Sequence, residues 1–327
     1  MASLRKRAGG WRAEIAILGT RESKTFSTKA EASAWAAARE VELRRSDATG
    51  IVTGKTCRAA FERYAEEVSV HKPGRRWEEI RMLAIARHEV AGKAFGDLLL
   101  AEVTPDLLGK WRDMRLKTVS GSTVNRDMNL ISHVFTIARR EWKWVADSPT
   151  TDVRRPKDAA PRDRLVSQDE IDRLCLALGY DGEVTNKSSA VAAAFLFAIE
   201  TAMRAGEICG LTPANVSGNV AHLPRTKNGT SRDVPLSKRA IELIKELPTD
   251  GATCFGITSA SLDALFRKAR VRADIHDLTF HDTRHEAITR LAKKLNVLEL
   301  ARMVGHKDLR MLQVYYNETA AQLAKKL

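Results

Sequence analysis

The chain has 327 residues, more than one compact domain usually takes, and its 44% apolar content is enough for several buried cores. Lys and Arg number 54 against 41 Asp and Glu, a net charge of +13 that points to a polyanionic partner. Cys57, Cys175, Cys209 and Cys254 lie far apart and form none of the short paired spacings of zinc or redox sites, and no apolar run reaches membrane-spanning length. A disulfide scaffold and a membrane protein are therefore not expected; a soluble, intracellular protein is.

Near the start, Trp11, Ala13, Ile15 and Ile17 alternate with Arg12, Glu14 and Ala16, a period of two that predicts a half-buried strand. A second short strand is expected around Lys24, after a turn at Gly19-Thr20. Thr28 and Glu31 have capping-box spacing and open a helix bearing Ala34, Trp35, Ala38 and Val41. This small sheet with one helix is flanked by the basic run Arg5-Lys6-Arg7, and a thin basic sheet of that kind fits a DNA groove. Residues 46–55, SDATGIVTGK, lack periodicity and read as a linker.

Helices are expected over 56–69, 75–91, 104–117 and 122–142. In the last of these, Val124, Met128, Ile131, Phe135, Ala138 and Trp142 recur at steps of three and four, the stripe of a helix facing a core. Residues 148–164 hold three of the nine prolines among charged neighbours and read as an extended hinge. Ser167 and Glu170 repeat the capping-box spacing, and the run from Val191 to Ile199, apolar on nearly every side, predicts a central buried helix. Two short strands around 220–223 and 232–236 are joined through TKNGTS, whose Asn228-Gly229 is a turn signal; the remainder reads as helical.

The buried helix runs into TAMRAGEICGL, which sets Arg204 and Glu207 three residues apart, so that the carboxylate can fix the guanidinium. Lys227 lies at the hairpin tip. His281, Arg284 and His285 open a later helix, and His306 follows Gly305, a helix stop. Singly, each has an ordinary structural explanation. Together they supply cations to clamp non-bridging oxygens, a donor for a leaving oxygen and, in Tyr315 or Tyr316, a nucleophile, which is what phosphoryl transfer requires. No carboxylate cluster of the kind that binds Mg²⁺ stands out. A different reading takes His276, His281, Asp282 and His285 as ligands of a hydrolytic metal, because His281 and His285 are spaced i, i+4.

The segments TAMRAGEICGL, TKNGTSRDVPL, HDTRH and GHKDLRMLQVYY resemble, in order and at the usual separations, the four signatures of the tyrosine recombinase or phage integrase family. The resemblance implies catalytic roles for Arg204, Lys227, His281, Arg284, His306 and Tyr315, with Glu207 supporting Arg204 and Tyr315 chosen over Tyr316 by its distance from His306. His281 would accept the tyrosine proton and Lys227 would protonate the leaving oxygen. A family glycine is replaced by Ala202 here, which bears on the turn that aims Arg204.

The implied fold is a mainly α multidomain chain. An arm-type DNA-binding domain over 1–48 would be a small β-sheet plus helix, with Arg5, Lys6 and Arg7 as DNA contacts. A core-binding helical domain over 54–148 and a linker over 149–164 would lead to a mainly α catalytic domain with a small sheet over 165–327. The implied activity is site-specific DNA recombination through a 3′-phosphotyrosyl intermediate, for integration and/or excision of a mobile element or prophage. It would need no cofactor and no metal. Partners would be double-stranded DNA attachment sites, three further copies in a homotetramer on synapsed DNA, to which the tail 318–327 would contribute, and a DNA-bending accessory protein. A DNA-binding regulator on the same fold and a relaxing topoisomerase are the neighbouring alternatives.

Overall fold

The computed structural model describes residues 2–7, 9–17, 20–160, 162–224, 229–248, 251–306 and 308–316. Contacts divide the chain into two units, Met1–Ala160 and Pro161–Leu327.

The first unit begins with a three-stranded antiparallel sheet of β1 (Ser3–Arg7), β2 (Gly10–Ile17) and β3 (Thr20–Phe26), with β2 in the middle. The strand β1 extends the two-stranded sheet expected from sequence, and it contains the basic run. Because Arg5 pairs with Arg12, and Lys6 with Trp11, the pleat separates the basic triplet. Arg5 and Arg7 share the outer face with Arg12, whereas Lys6 falls on the face of Ala13 and Ile15, which are fully buried. Those two residues pack with Ala32 and Ala36 of α1 (Lys29–Thr49). The Thr28–Glu31 capping box starts this helix, and Gly50, with φ of 66°, ends it. The linker expected over 46–55 is thus helical to Thr49: nothing in SDAT breaks the hydrogen-bond ladder before Gly50 supplies the left-handed cap.

The helices α2 (Cys57–Glu67), α3 (Arg75–Ala86), α4 (Pro105–Leu116) and α5 (Gly121–Arg140) enclose a second core, with a small antiparallel hairpin of β4 (Glu89–Val90) and β5 (Lys93–Ala94) after α3. The α5 stripe is buried as its spacing predicts, and Trp142, just past the helix end, stays in the same core. Thr56, Thr104 and Ser120 each cap the helix that follows. Residues 148–159 are less free than their composition implies. Asn125 Nδ2 donates to the Pro156 carbonyl at 2.9 Å, Arg155 donates to Asn125 and Asn129, and Val153 is buried.

In the second unit, α6 (Gln168–Leu178) begins with the Ser167–Glu170 capping box, and α7 (Lys187–Thr201) runs through the centre of the largest core. Its residues 190–195 and 197–199 are all buried, as an all-round apolar helix requires. The one-turn α8 (Ala205–Cys209) leads to a three-stranded antiparallel sheet of β6 (Val216–Ser217), β7 (Val220–Leu223) and β8 (Arg232–Pro235). Then come α9 (Lys238–Lys245), α10 (Ser259–Arg272), α11 (Asp282–Ala292) and α12 (Val297–Val304). A 3₁₀ segment, Leu309–Tyr315, closes on a separate cluster of Ala202, Ala287, Ile288, Leu300, Val304 and Leu312. No described helix is long and apolar enough to cross a membrane.

Candidate active site

The site begins where α7 stops. Ala202 takes the left-handed conformation, φ 55° and ψ 18°, as the C-cap of α7, and is fully buried. A left-handed turn normally selects glycine, because the Cβ of other residues meets the following carbonyl at a cost of about 1–2 kcal/mol. Here alanine makes the turn all the same, and the chain emerges from the core at Arg204 with the backbone extended, φ −77° and ψ 152°.

Glu207 then organises two arginines. Its carboxylate accepts from the Arg204 backbone N–H at 2.8 Å and from Arg204 Nη1 at 3.0 Å. From β8, Arg232 donates Nη1 and Nη2 to the two oxygens of the same carboxylate at 2.9 and 2.8 Å, the parallel fork that guanidinium and carboxylate share. Both partners of that fork are buried, with side chains 7% and 8% exposed. Burial pushes the Glu207 carboxyl up, but Arg232 and the Arg204 N–H outweigh it and hold the pKa below the usual range. Glu207 is therefore ionised and committed to positioning guanidiniums. The Arg204 side chain remains 23% exposed.

Arg284, in the first turn of α11, is 4% exposed and donates to two backbone carbonyls: Nη1 to Ala202 and Nη2 to Val304 at 2.6 Å. The same left-handed turn that releases Arg204 thus also holds Arg284. Burial, followed by the fields of Arg204 and Arg232, lowers its pKa to about 9. His306 follows Gly305, the left-handed cap of α12 with φ of 71°. Burial and the charges of Arg284, Arg204 and Arg232 depress the imidazole to about 4, so it is neutral near pH 7. Its Nδ1 is buried without a hydrogen-bond partner among the described residues, as is Nε of Arg232. Three guanidiniums and an imidazole thus surround one carboxylate. This cluster carries excess positive charge and orphaned nitrogens, the state that an incoming anion relieves.

The phenol of Tyr315 lies at the end of the 3₁₀ segment, half-buried, and forms a 2.7 Å hydrogen bond with Nδ1 of His285. Burial raises the phenol's pKa, while Arg284 pulls it down and Asp163 pushes it up. Tyr316 turns away: its hydroxyl donates to the Leu295 carbonyl at 2.8 Å. On its far side the His285 ring meets Asp163, Nε2 to Oδ1 at 3.0 Å. Asp163 is held there by its neighbour Arg162, which donates to both oxygens of buried Asp282 at 2.6 and 2.8 Å.

Of the residues singled out from sequence, Arg204, Glu207, Arg284, His306 and Tyr315 come together through these contacts. Lys227 lies outside the described residues, as do Asn228 and the tail 318–327. His281 is exposed at the N-terminus of α11, and the hydrogen-bond partner of the Tyr315 phenol is His285, one turn further on. The metal-ligand reading loses its parts. Asp282 is consumed by Arg162 and the Thr279 N–H, His276 pairs with Asp274 at 3.3 Å, and no group of three His, Cys, Asp or Glu able to hold a metal occurs among the described residues. Arg232 and Asp163 were not assigned from the sequence to any part of a phosphate site, and His285 was grouped with its histidines but given no catalytic role. Only His285 carried a local signal, as the second histidine of HDTRH.

The sequence pattern of the phage integrase family matches residues 164–322. The shufflon-specific DNA recombinase of Escherichia coli is 37% identical over 281 residues, covering 82% of this chain and 70% of that protein. In fold, the chain is similar to lambda integrase in the crystal structure of its dimer bound to a COC′ core site, with a TM-score of 0.69 at 16% identity over 96% of this chain and 94% of that one. It is also similar to lambda integrase in the tetramer bound to a Holliday junction, with a TM-score of 0.66 at 16% identity over 93% and 95%. The chain belongs to the phage integrase family, the tyrosine-type site-specific DNA recombinases.

Proposed function

We propose that this chain cuts and rejoins double-stranded DNA at attachment sites through a 3′-phosphotyrosyl link on Tyr315, to integrate and/or excise a mobile element. The observation that carries the reading is the carboxylate-poor cluster of Arg204, Arg232, Arg284 and His306 adjoining a half-buried phenol. The Tyr315 oxygen attacks the scissile phosphorus, the bond to the 5′ oxygen breaks, and a free 5′-hydroxyl remains to attack in the reverse sense. Arg204 and Arg284 bind the non-bridging oxygens, and His306, neutral near pH 7, donates a hydrogen bond to one of them. Glu207 touches no DNA and aims Arg204. A phenol, with an ordinary pKa of about 10, is a better leaving group than the sugar alkoxide it displaces, so cleavage needs an acid at the 5′ oxygen. That acid is Lys227. Because the bond energy is kept in the covalent link, strand joining requires no nucleotide.

The net charge of +13 and the outward-facing Arg5, Arg7 and Arg12 support a DNA-binding role for the N-terminal sheet, with the helices of 54–148 as a second DNA-contacting module and 165–327 as the catalytic one. Exchange between two duplexes uses four strand ends, so a homotetramer on synapsed DNA is the working assembly, aided by a DNA-bending protein.

The test is covalent trapping on nicked duplexes tiled across the DNA that flanks the gene, in EDTA. Wild-type protein is expected to form a protein–DNA adduct resistant to denaturation, and Tyr315→Phe to bind the same duplex without forming one. Adducts that vanish in EDTA, or persist in Tyr315→Phe, overturn the reading.

A further inference from the structure

The resemblance to the family leaves the phenolic proton to His281, yet the geometry places another histidine on the reacting atom. Nδ1 of His285 lies 2.7 Å from the Tyr315 hydroxyl oxygen, and the two rings are in contact, with centroids 5.2 Å apart. The opposite nitrogen, Nε2, meets Asp163 Oδ1 at 3.0 Å. A carboxylate can only accept, so Nε2 carries the hydrogen and Nδ1 presents a lone pair to the phenol O–H. Phenol, imidazole and carboxylate thus stand in line, in the order and tautomer that general-base catalysis uses.

The placement is built into the fold. His285 sits in the first turn of α11 beside Arg284, so one helical turn delivers both a phosphate clamp and the ring that meets the nucleophile. Asp163 is itself 93% exposed and would not stay beside an imidazole unaided. Arg162 supplies the anchor: its fork onto Asp282, which is 3% exposed and also accepts from the Thr279 N–H, ties residues 162–163 to the start of α11. Among the described residues, the charged and titratable groups facing the phenol and ring are then Arg284, Asp163 and His285 itself.

We propose that His285 is a catalytic residue of this recombinase, the base that takes the Tyr315 proton during cleavage and returns it during rejoining, with Asp163 as its positioning residue. The proposal rests on the recombinase reading above. The Tyr315 oxygen forms its bond to phosphorus as its proton passes to Nδ1. The phosphorus–O5′ bond breaks, and the 5′ oxygen receives its proton from the acid assigned to Lys227. In rejoining, the imidazolium gives its proton back to the departing phenolate. Burial raises the pKa of Tyr315, so few molecules would carry a free phenolate near neutral pH, and a positioned base contributes a rate factor on the order of 10² to 10⁴.

The experiment follows single-turnover adduct formation against pH on a nicked duplex that wild-type protein cleaves, for wild type, His285→Gln, His285→Ala and Asp163→Asn. Far-UV circular dichroism and DNA binding by gel shift check that each variant is folded. At pH 7 His285→Gln is expected to be slower by roughly 10² to 10³. Its log rate should rise with unit slope through the range where wild type is level, so that the deficit shrinks in alkali, and added imidazole should speed His285→Ala. Asp163→Asn should lower the rate by less, with a changed pH profile. A purely structural role would lower the rate equally at every pH and show no imidazole rescue, and that result, or a deficit under about threefold, overturns the proposal. If wild type forms no adduct on any duplex of the set, the recombinase reading fails as well; if wild type reacts and His285→Gln matches it, only the assignment of the base fails.

Discussion

Arg232 and Glu207 are joined by two parallel hydrogen bonds, 2.9 and 2.8 Å, between the first residue of β8 and the third residue of the five-residue helix α8. The fork matters because Glu207 also holds Arg204. One carboxylate is thereby shared between two guanidiniums, so that the pair of arginines keeps a net positive charge. Arg232→Lys keeps the charge but loses the fork. It is expected to slow cleavage by roughly 10-fold or more while leaving DNA affinity within about threefold. Glu207→Gln strips a buried ion network of the one anion it holds among the described residues, at a stability cost of about 3–5 kcal/mol. Urea unfolding and single-turnover cleavage measure the two effects, and an unfolding midpoint unchanged in Glu207→Gln would contradict the network.

Two left-handed residues aim the site, and they differ in what they tolerate. At Gly305 a Cβ would stand 3.1 Å from both Cδ and Nη1 of Arg232, on a backbone with φ of 71°. Gly305→Ala should therefore cost about 1–2 kcal/mol, and should also disturb Arg232 and slow cleavage. At Ala202 the reverse change relieves the left-handed strain but removes a buried methyl group, terms of opposite sign, each about 1 kcal/mol. Ala202→Gly is expected to alter stability by less than about 1 kcal/mol and to keep activity. Thermal unfolding and adduct yield check both.

His306 links the site to pH. Its proton leaves near pH 4 in the folded chain and near the ordinary 6.5 when unfolded, so between those values the unfolded chain binds more protons. Stability present above pH 6.5 is then lost as pH falls toward 4. Relative to His306→Asn, wild type should lose up to about 1.4 kcal/mol per pH unit within that window, and the two should run parallel above it. Chemical denaturation from pH 4 to 8 compares them.

The outer face of the N-terminal sheet gives a fourth expectation. Arg5 shares that face with Arg12, and Lys6 lies on the opposite one. Removing one phosphate contact lowers the slope of log affinity against log salt by about 1. Arg5→Ala should do so in filter or gel-shift titrations of long duplexes, and Lys6→Ala should change the slope by less.

The helices with strong local signals were legible in the sequence. The α5 stripe from Val124 to Ala138, the all-apolar α7 and the Thr28–Glu31 and Ser167–Glu170 capping boxes depend only on neighbours within a turn or two. Strand β1 was hidden because Leu4 is flanked by Arg5, Lys6 and Arg7, whose alternation becomes visible only once Arg12 and Trp11 pair with them. Within the site, Arg204, Glu207, Arg284, His306 and Tyr315 came from motifs. Arg232 and Asp163 did not, because their partners lie 25 and 122 residues away and nothing local distinguishes either from an ordinary surface charge. His285 stood in plain view in HDTRH. Its i, i+4 spacing from His281 placed it in the rival metal reading, whereas the fold turns His281 out to the surface and brings His285 to the phenol.

Tyr315, rather than Tyr316, is expected to carry the DNA in the covalent intermediate. Proteolysis of the trapped adduct followed by mass spectrometry of the nucleotide-bearing peptide locates the bond directly. The expected product is a deoxynucleotide 3′-phosphate on Tyr315, with Tyr316 unmodified because its hydroxyl is engaged by the Leu295 carbonyl. A nucleotide on Tyr316, or on any other residue, would contradict this assignment.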